Sequence, residues 1–265
     1  MSTARPLLGV VHLRASPSAA RHSSMSELLA AAVADAKAWA AAGFDGLIVE
    51  NFGDAPFHRG TIDDPVPPDV VATLAVAAQA VAAATSLPAG INCLRNDGVA
   101  ALGVAAAVGA RWIRVNVLAG TYATDQGLIV GEAARLFAYR RQLRSDVAVL
   151  ADYLVKHAAP VGPVDVASGA RDLAERSGAA GIVLSGRRTG EPVAADLLAA
   201  VRAAVGTFPI WLGSGLDADN AADLWPRCDG AIVGSSCKRD GRIDQPVDPA
   251  RARALRAACP PLPGA

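Results

Sequence analysis

The pattern that most limits what this chain can become is a supersecondary unit that recurs along it. "AWAAAGFDGLIVEN", "AAAVGARWIRVN", "AERSGAAGIVLSG" and "LWPRCDGAIVGS" share one plan. Each runs from a helix end, through a turn usually carrying Gly, into a short β-branched run that ends in polar or small residues. Gly near a helix C-cap followed by such a run marks an α-to-β step. Filling the gaps predicts eight strands, around residues 8–13, 46–50, 90–93, 112–117, 148–153, 181–185, 209–213 and 229–233. Helical patterns fall near 26–42, 68–85, 97–109, 128–143, 164–177, 192–205 and 217–226, with a last one near 248–258. Alternation of eight strands with eight helices is the count of a closed (β/α)8 TIM barrel, an α/β fold. An open doubly wound sheet is disfavoured, because no early Gly-x-Gly-x-x-Gly turn is present.

A length of 265 residues suits one such domain over 1–265, with the ends 1–5 and 259–265 expected to fray. The 25 basic and 25 acidic side chains cancel, which removes any overall electrostatic case for nucleic acid or a membrane surface as partner. The apolar stretch near the N-terminus is too short for a signal segment, and no run reaches ~20 uninterrupted apolar residues, so a soluble cytoplasmic protein is expected. Cys93, Cys228, Cys237 and Cys259 form no CxxC pair and no metal-ligand spacing, and read as buried thiols. Ala-rich helix faces such as "AAAVADAKAWAAAG" make a homo-oligomer the expected state.

A barrel carries its active site at the C-terminal ends of its strands, and those ends are polar here. They supply His12; Glu50, Asn51 and Asp54; Asn92, Arg95, Asn96 and Asp97; Arg114, Asn116, Asp125 and Gln126; and Asp152, Lys156 and His157. Period-two alternation in "WIRVNV" assigns Ile113, Val115 and Val117 to the helix layer and turns Arg114 and Asn116 inward. Asp152, Leu154 and Lys156 likewise share a face. A buried unpaired charge is costly, so Arg114 should meet Asp152, Asp97 or Glu50.

"LGSGLDADN" closes strand seven and "IVGSSCKRDG" closes strand eight. In barrels these two loops, with a following helix N-terminus, commonly hold a phosphate. Gly213, Gly215 and Gly234 would admit the anion to the backbone, with hydroxyls from Ser214, Ser235 and Ser236. "LSGRRTG" would extend the clamp through Gly186, Thr189 and Gly190. Lys238 either reaches the anion or lies on the surface.

Together "GVVHL", "GLIVENFGDAPF", "GINCLRND", "RWIRVNVLAGTYATDQGLIVGEAARLFAYR", "LADYLVKHA" and "DGAIVGSSCKRDG" resemble the BtpA/SgcQ family over almost the whole chain. The resemblance implies a TIM barrel with a shared site at these motifs. It ties the family name to photosystem I biogenesis in cyanobacteria, and SgcQ-like members to sugar metabolism, without naming a reaction. The strand-one loop "HLRASPSAARHSS" departs from the Pro-rich segment of relatives, so the substrate can differ.

The expected activity is therefore chemistry on a phosphorylated sugar at its anomeric carbon, by glycosyl transfer to, or cleavage from, a nucleobase-like group. Carboxylates favour an oxocarbenium-like transition state. In that scheme Asp125 and Asp152 stabilise charge or bind Mg²⁺, Glu50 is acid or base, and Asn92, Arg114 and Asn116 hold sugar hydroxyls. No organic cofactor is expected, although the same clamp could hold a flavin phosphate. A sugar-phosphate isomerase, epimerase or aldolase using Lys156 is the rival, weakened if nearby acids raise the pKa of the amine. His12 or His157 could serve as general base. A non-catalytic assembly factor is the reading from a different class.

Overall fold

The computed structural model describes residues 5–186, 188 and 190–260. Its strands are β1 (Leu7–His12), β2 (Gly46–Glu50), β3 (Ala89–Asn92), β4 (Trp112–Val115), β5 (Thr121–Thr124), β6 (Gly127–Val130), β7 (Ala148–Tyr153), β8 (Ala158–Pro160), β9 (Gly181–Leu184), β10 (Ile210–Leu212) and β11 (Gly230–Val233). The parallel ring β1-β11-β10-β9-β7-β4-β3-β2 closes on itself, giving the expected barrel. β5, β6 and β8 make a separate antiparallel sheet, ordered β6-β5-β8. This small sheet corrects the expected single helix over 128–143, whose helical part starts only at Ala133.

Helices α1 (Met25–Ala41), α2 (Pro68–Thr85), α3 (Gly98–Val108), α4 (Ala133–Gln142), α5 (Val166–Arg176), α6 (Ala195–Val205), α7 (Ala221–Leu224) and α8 (Pro249–Ala258) surround the ring. Their starts follow local chemistry: the hydroxyl of Ser24 accepts from the Glu27 N–H, and the carboxylates of Asp97, Asp165 and Asp248 cap α3, α5 and α8. By length and composition alone α2 could cross a membrane, with a mean hydropathy of 1.4. Its Val70, Leu74, Ala77, Ala78 and Val81 stripe is nevertheless buried in the outer core with Trp39 and Val49.

Within the ring, alternation sorts the side chains into two cores. Leu8, Val10, Ile48, Leu150, Val183 and Ile232 form an inner cluster, against which Trp112 and Trp211 pack. Glycine is required beside these two indoles: a Cβ on Gly90 would sit 1.9 Å from Trp112, and one on Gly230 would sit 2.7 Å from Trp211. Continuing each inward row toward the strand's C-terminus brings His12, Glu50, Asn92, Arg114, Asn116, Asp152, Ser185, Gly213 and Gly234 to one end of the barrel. Ile113 and Val115 join the helix-side core as expected. Val117 instead packs with Tyr122, Ile129 and Val155 beneath the small sheet.

Candidate functional site

The polar ends of the inward rows enclose a cavity of about 230 Å³ at the C-terminal face of the barrel. Its wall includes His12, Glu50, Arg95, Arg114, Asn116, Asp125, Lys156 and His157 on the polar side. Gly213, Ser214, Gly215, Gly234, Ser235 and Ser236 form the adjoining rim.

Arg114 lies along the floor in a buried fork with Asp152. Its Nε and Nη2 donate to Oδ1 and Oδ2 at 2.8 and 2.9 Å. Asn116 Nδ2 adds a third bond to Oδ2 at 3.0 Å. Burial alone would lower the Arg114 pKa, but the charge and hydrogen bonds of Asp152 outweigh it and hold the pKa above its ordinary value. This is the pairing anticipated for Arg114, and it takes Asp152 out of the role assigned to it. With its oxygens committed to Arg114 and Asn116, the carboxylate braces the floor and does not face a metal or a substrate cation. Asp125 stays apart at the mouth, where its Oδ2 accepts from Gln126 Nε2 at 2.7 Å. Among the described residues no three His, Cys, Asp or Glu side chains gather as a metal site.

On the β1–β2 side, Glu50 Oε2 accepts from Asn92 Nδ2 at 2.6 Å, and Oε1 lies 3.8 Å from His12 Nε2. Burial, helped by Lys238, Lys156 and Arg114, pushes the His12 pKa well below its ordinary value. The imidazole is therefore neutral near pH 7, and its contact with Glu50 is not an ion pair. At this end of the barrel the buried atoms His12 Nδ1, Asn92 Oδ1, Asn116 Oδ1 and Ser185 Oγ have no protein partner among the described residues. Unsatisfied acceptors in such a place fit a ligand rich in hydroxyl donors.

Lys156 follows β7 but does not get there by strand alternation. The strand stops at Tyr153, and Leu154 and His157 both take left-handed backbone, with φ of 53° and 56°. Arg95 Nη2 fixes the turn by donating to the Lys156 carbonyl at 2.8 Å. Among the described residues the ammonium has no carboxylate within ion-pair distance. Burial lowers its pKa to about 8; Arg114 and Arg95 push the same way, and Glu50 and Asp152 oppose them. Nearby acids do push this pKa up, as expected, but burial and the two guanidinium groups outweigh Glu50 and Asp152, so the net direction is down. His157 is lowered too, by burial and then by Lys156 and Arg95.

At the rim, the backbone N–H groups of Ser214, Gly215, Ser235 and Ser236 bond no protein acceptor among the described residues. Ser235–Cys237 is a single 3-10 turn and α7 spans only Ala221–Leu224, so the expected helix N-termini are absent and the donors are loop amides. The glycines serve protein packing as well as access. A Cβ on Gly213 would meet Val183 at 2.4 Å, on Gly215 or Gly186 it would meet Glu191 at 2.3 and 2.2 Å, and on Gly234 it would meet His12 at 2.7 Å. Gly190 approaches the Ser235 hydroxyl, whose oxygen would lie 3.2 Å from an added Cβ. Ser236 Oγ is turned away to the Leu216 carbonyl at 2.7 Å. Thr189 and Arg187 lie outside the described residues.

The sequence profile of the BtpA family matches residues 3–259, nearly the full length of the chain. The chain belongs to the BtpA family. It is 47% identical over 255 residues to the photosystem I biogenesis protein BtpA of Synechocystis, spanning 96% of this chain and 87% of that protein. An uncharacterised protein of Pyrococcus furiosus is 44% identical, over 95% of this chain and 93% of its own length. Among solved structures the barrel is similar to Mycobacterium tuberculosis tryptophan synthase, with a TM-score of 0.61 and 19% identity over 97% of this chain and 93% of that one. It is also similar to N-(5'-phosphoribosyl)anthranilate isomerase of P. furiosus, with a TM-score of 0.56 and 12% identity over 96% and 98% of the two chains. At such identities the likeness is one of fold.

Several motif residues of this BtpA-family barrel do structural work. Asn51 Oδ1 accepts from the Leu94 N–H at 2.7 Å, and its Nδ2 donates to Asp54 Oδ2 at 3.0 Å. Asn96 brackets Val117, accepting from its N–H at 2.6 Å and donating to its carbonyl at 2.9 Å. Asp97 caps α3 through the Ala100 N–H at 2.8 Å and also accepts from the Val66 N–H at 3.2 Å. None of the three lines the cavity, which corrects their reading as substrate contacts. Lys238 is neither an anion ligand nor a surface group: it is buried in an ion pair with Asp35 of α1. The reading of polar strand ends also passed over Phe52, Phe57, Leu94 and Ile243, four apolar residues of the wall. Two of them stand in plain view in "ENFGDAPF", where only the charges were weighed.

Proposed function

We propose that the protein is an enzyme that forms a Schiff base between Lys156 and the carbonyl of a phosphorylated sugar, on the way to isomerisation, epimerisation or aldol cleavage. The observation that carries this reading is the Lys156 amine: it lines the cavity, lacks an acid partner, and has its pKa lowered to about 8. At pH 7 about one molecule in ten then carries the free amine, against roughly one in a few thousand for an ordinary lysine. In the first step the free Nζ adds to the carbonyl carbon, and the carbonyl oxygen departs as water with one proton from the amine and one from solvent, leaving an iminium. For isomerisation or epimerisation the Glu50 carboxylate accepts the proton of the carbon next to the iminium, and that C–H pair moves into the iminium. For aldol cleavage it accepts the proton of the hydroxyl one carbon further on; the O–H pair becomes a new carbonyl and the pair of the broken C–C bond moves into the iminium. Neutral His12 beside Glu50 helps to place it, Asn116 offers an acceptor to a sugar hydroxyl, and the loop amides at Ser214, Gly215 and Ser235 take the phosphate.

The charge around the cavity weighs against the anomeric-carbon scheme. A cationic oxocarbenium would meet Arg95, Arg114 and Lys156, with Asp152 already neutralised. Chemistry that develops negative charge gains from the same wall. The structural neighbours support a phosphorylated substrate to the extent that one of them is named for a phosphoribosyl compound. A second reading, a ligand-binding role in assembly, rests on the name of the Synechocystis relative; it leaves the uncompensated amine without a purpose.

The test is reductive trapping. Wild-type protein incubated with phosphorylated aldoses and ketoses and then borohydride should carry a sugar-phosphate adduct that peptide mapping places on Lys156. Lys156→Met should show none. Glu50→Gln should still be trapped while turnover falls roughly 10²- to 10⁴-fold. No adduct with any sugar, or one confined to exposed Lys37, would overturn the proposal.

A further inference from the structure

Phe52, Phe57, Leu94 and Ile243 come from three separate loops and all line the cavity. Phe52, Phe57 and Ile243 are half-buried and lie outside the hydrophobic clusters, while Leu94 beside them is buried. Apolar side chains that cover no core and converge on one polar cavity are a recognition surface, since their contact area is left for a ligand to take up. Their position is specific. Phe52 and Phe57 follow β2 and Leu94 follows β3, while the loop amides lie after β10 and β11. In the ring β1 stands between β11 and β2, so Phe52, Phe57 and Leu94 come from loops of other strands than the anion donors, while Ile243, after β11, lies on the donors' side. Phe52 sits edge-on to His12, with centroids 5.3 Å apart and planes at 77°, which keeps the ring upright in the wall. The Arg95 guanidinium lines the same cavity and adds a second flat surface.

We infer that the substrate is a phosphorylated sugar bearing a planar aromatic ring, held by Phe52, Phe57 and Leu94 at the end of the cavity remote from the phosphate. This rests on the phosphate-sugar reading above and names what the sugar carries. The ring lends affinity and orients the sugar carbonyl toward Lys156, while the phosphate fixes the opposite end.

Ribose 5-phosphate, adenosine 5'-monophosphate and uridine 5'-monophosphate share sugar and phosphate and differ in the ring, so calorimetric titration of the three isolates its contribution. At least one nucleotide should bind about tenfold or more tighter than ribose 5-phosphate. Phe57→Ala should remove most of that advantage and leave ribose 5-phosphate affinity within about twofold. Phe57→Leu keeps apolar bulk and should still lose part of it. Ribose 5-phosphate binding with no gain from either ring, or a gain untouched in both variants, would overturn this inference and leave the phosphate reading standing. Failure of all three compounds to bind would overturn both.

Discussion

A lysine whose pKa is lowered to about 8 destabilises the fold that contains it, and the sign of the linkage makes this measurable. The unfolded chain binds the Lys156 proton up to its ordinary pKa near 10.4, the folded chain only up to about 8, so between those values the unfolded state holds more protons and stability rises with pH. Below pH 8 the whole cost is present. Lys156→Met should therefore stabilise the protein by about 1–3 kcal/mol at pH 7 in denaturant titrations, with the gain fading by pH 10.5. A lysine kept for structure would give the opposite sign. The neighbouring Arg114–Asp152 fork shows why geometry was needed here. Alternation turns Arg114 inward and leaves Asp152, Asp97 and Glu50 as possible partners; the fold selects Asp152, and a carboxylate held by three hydrogen bonds has little left to offer a substrate as the catalytic group expected of it.

Loops and caps explain where the reading of elements succeeded and failed. The strands were legible because each is a β-branched run after a Gly turn, and the inward alternation of Arg114 and Asn116 followed from period two. What lay beyond the strand ends was not. The Leu154 turn uses left-handed backbone at a residue type that seldom adopts it, so nothing in "DYLVKHA" announces the change of direction. The β5–β6 hairpin was more readable, with Tyr122 and Ile129 paired as its buried positions on either side of "TDQG". Asp97 stood among the site residues because it follows a strand, but it also precedes a helix, and the cap decides its role. Asp97→Ala should cost about 1–2 kcal/mol in thermal or chemical unfolding. Affinity for the trapped sugar phosphate should stay within about twofold; a large loss of affinity at unchanged stability would return Asp97 to the site.

At the scale of the molecule, a barrel exists only if its first and last strands meet, and β1 pairs with β11 in register Leu7 to Ala231 through Gly9 to Val233. Lys238, just past β11, reinforces that seam through Asp35 on α1, and the same carboxylate accepts from the Val247 N–H at 2.8 Å. The sequence could not pair residues 203 positions apart, which is why Lys238 was assigned to the anion or the surface. Removing one partner leaves a buried charge uncompensated, so Lys238→Met alone should cost about 3–5 kcal/mol. Adding Asp35→Asn should recover part of that loss, and a double-mutant cycle reads the coupling. With the seam held and the loops after β10 and β11 built beside it, the site depends on closure of the whole ring.

The account turns on the state of one amine, and the chain has only three lysines: exposed Lys37, ion-paired Lys238, and Lys156. Competitive amine labelling followed by mass spectrometry across pH 6–11 reports all three in one sample. Labelling of Lys156 should reach half its limiting rate near pH 8. A Lys156 midpoint above about pH 10 would contradict a lowered amine pKa and the Schiff-base chemistry built on it.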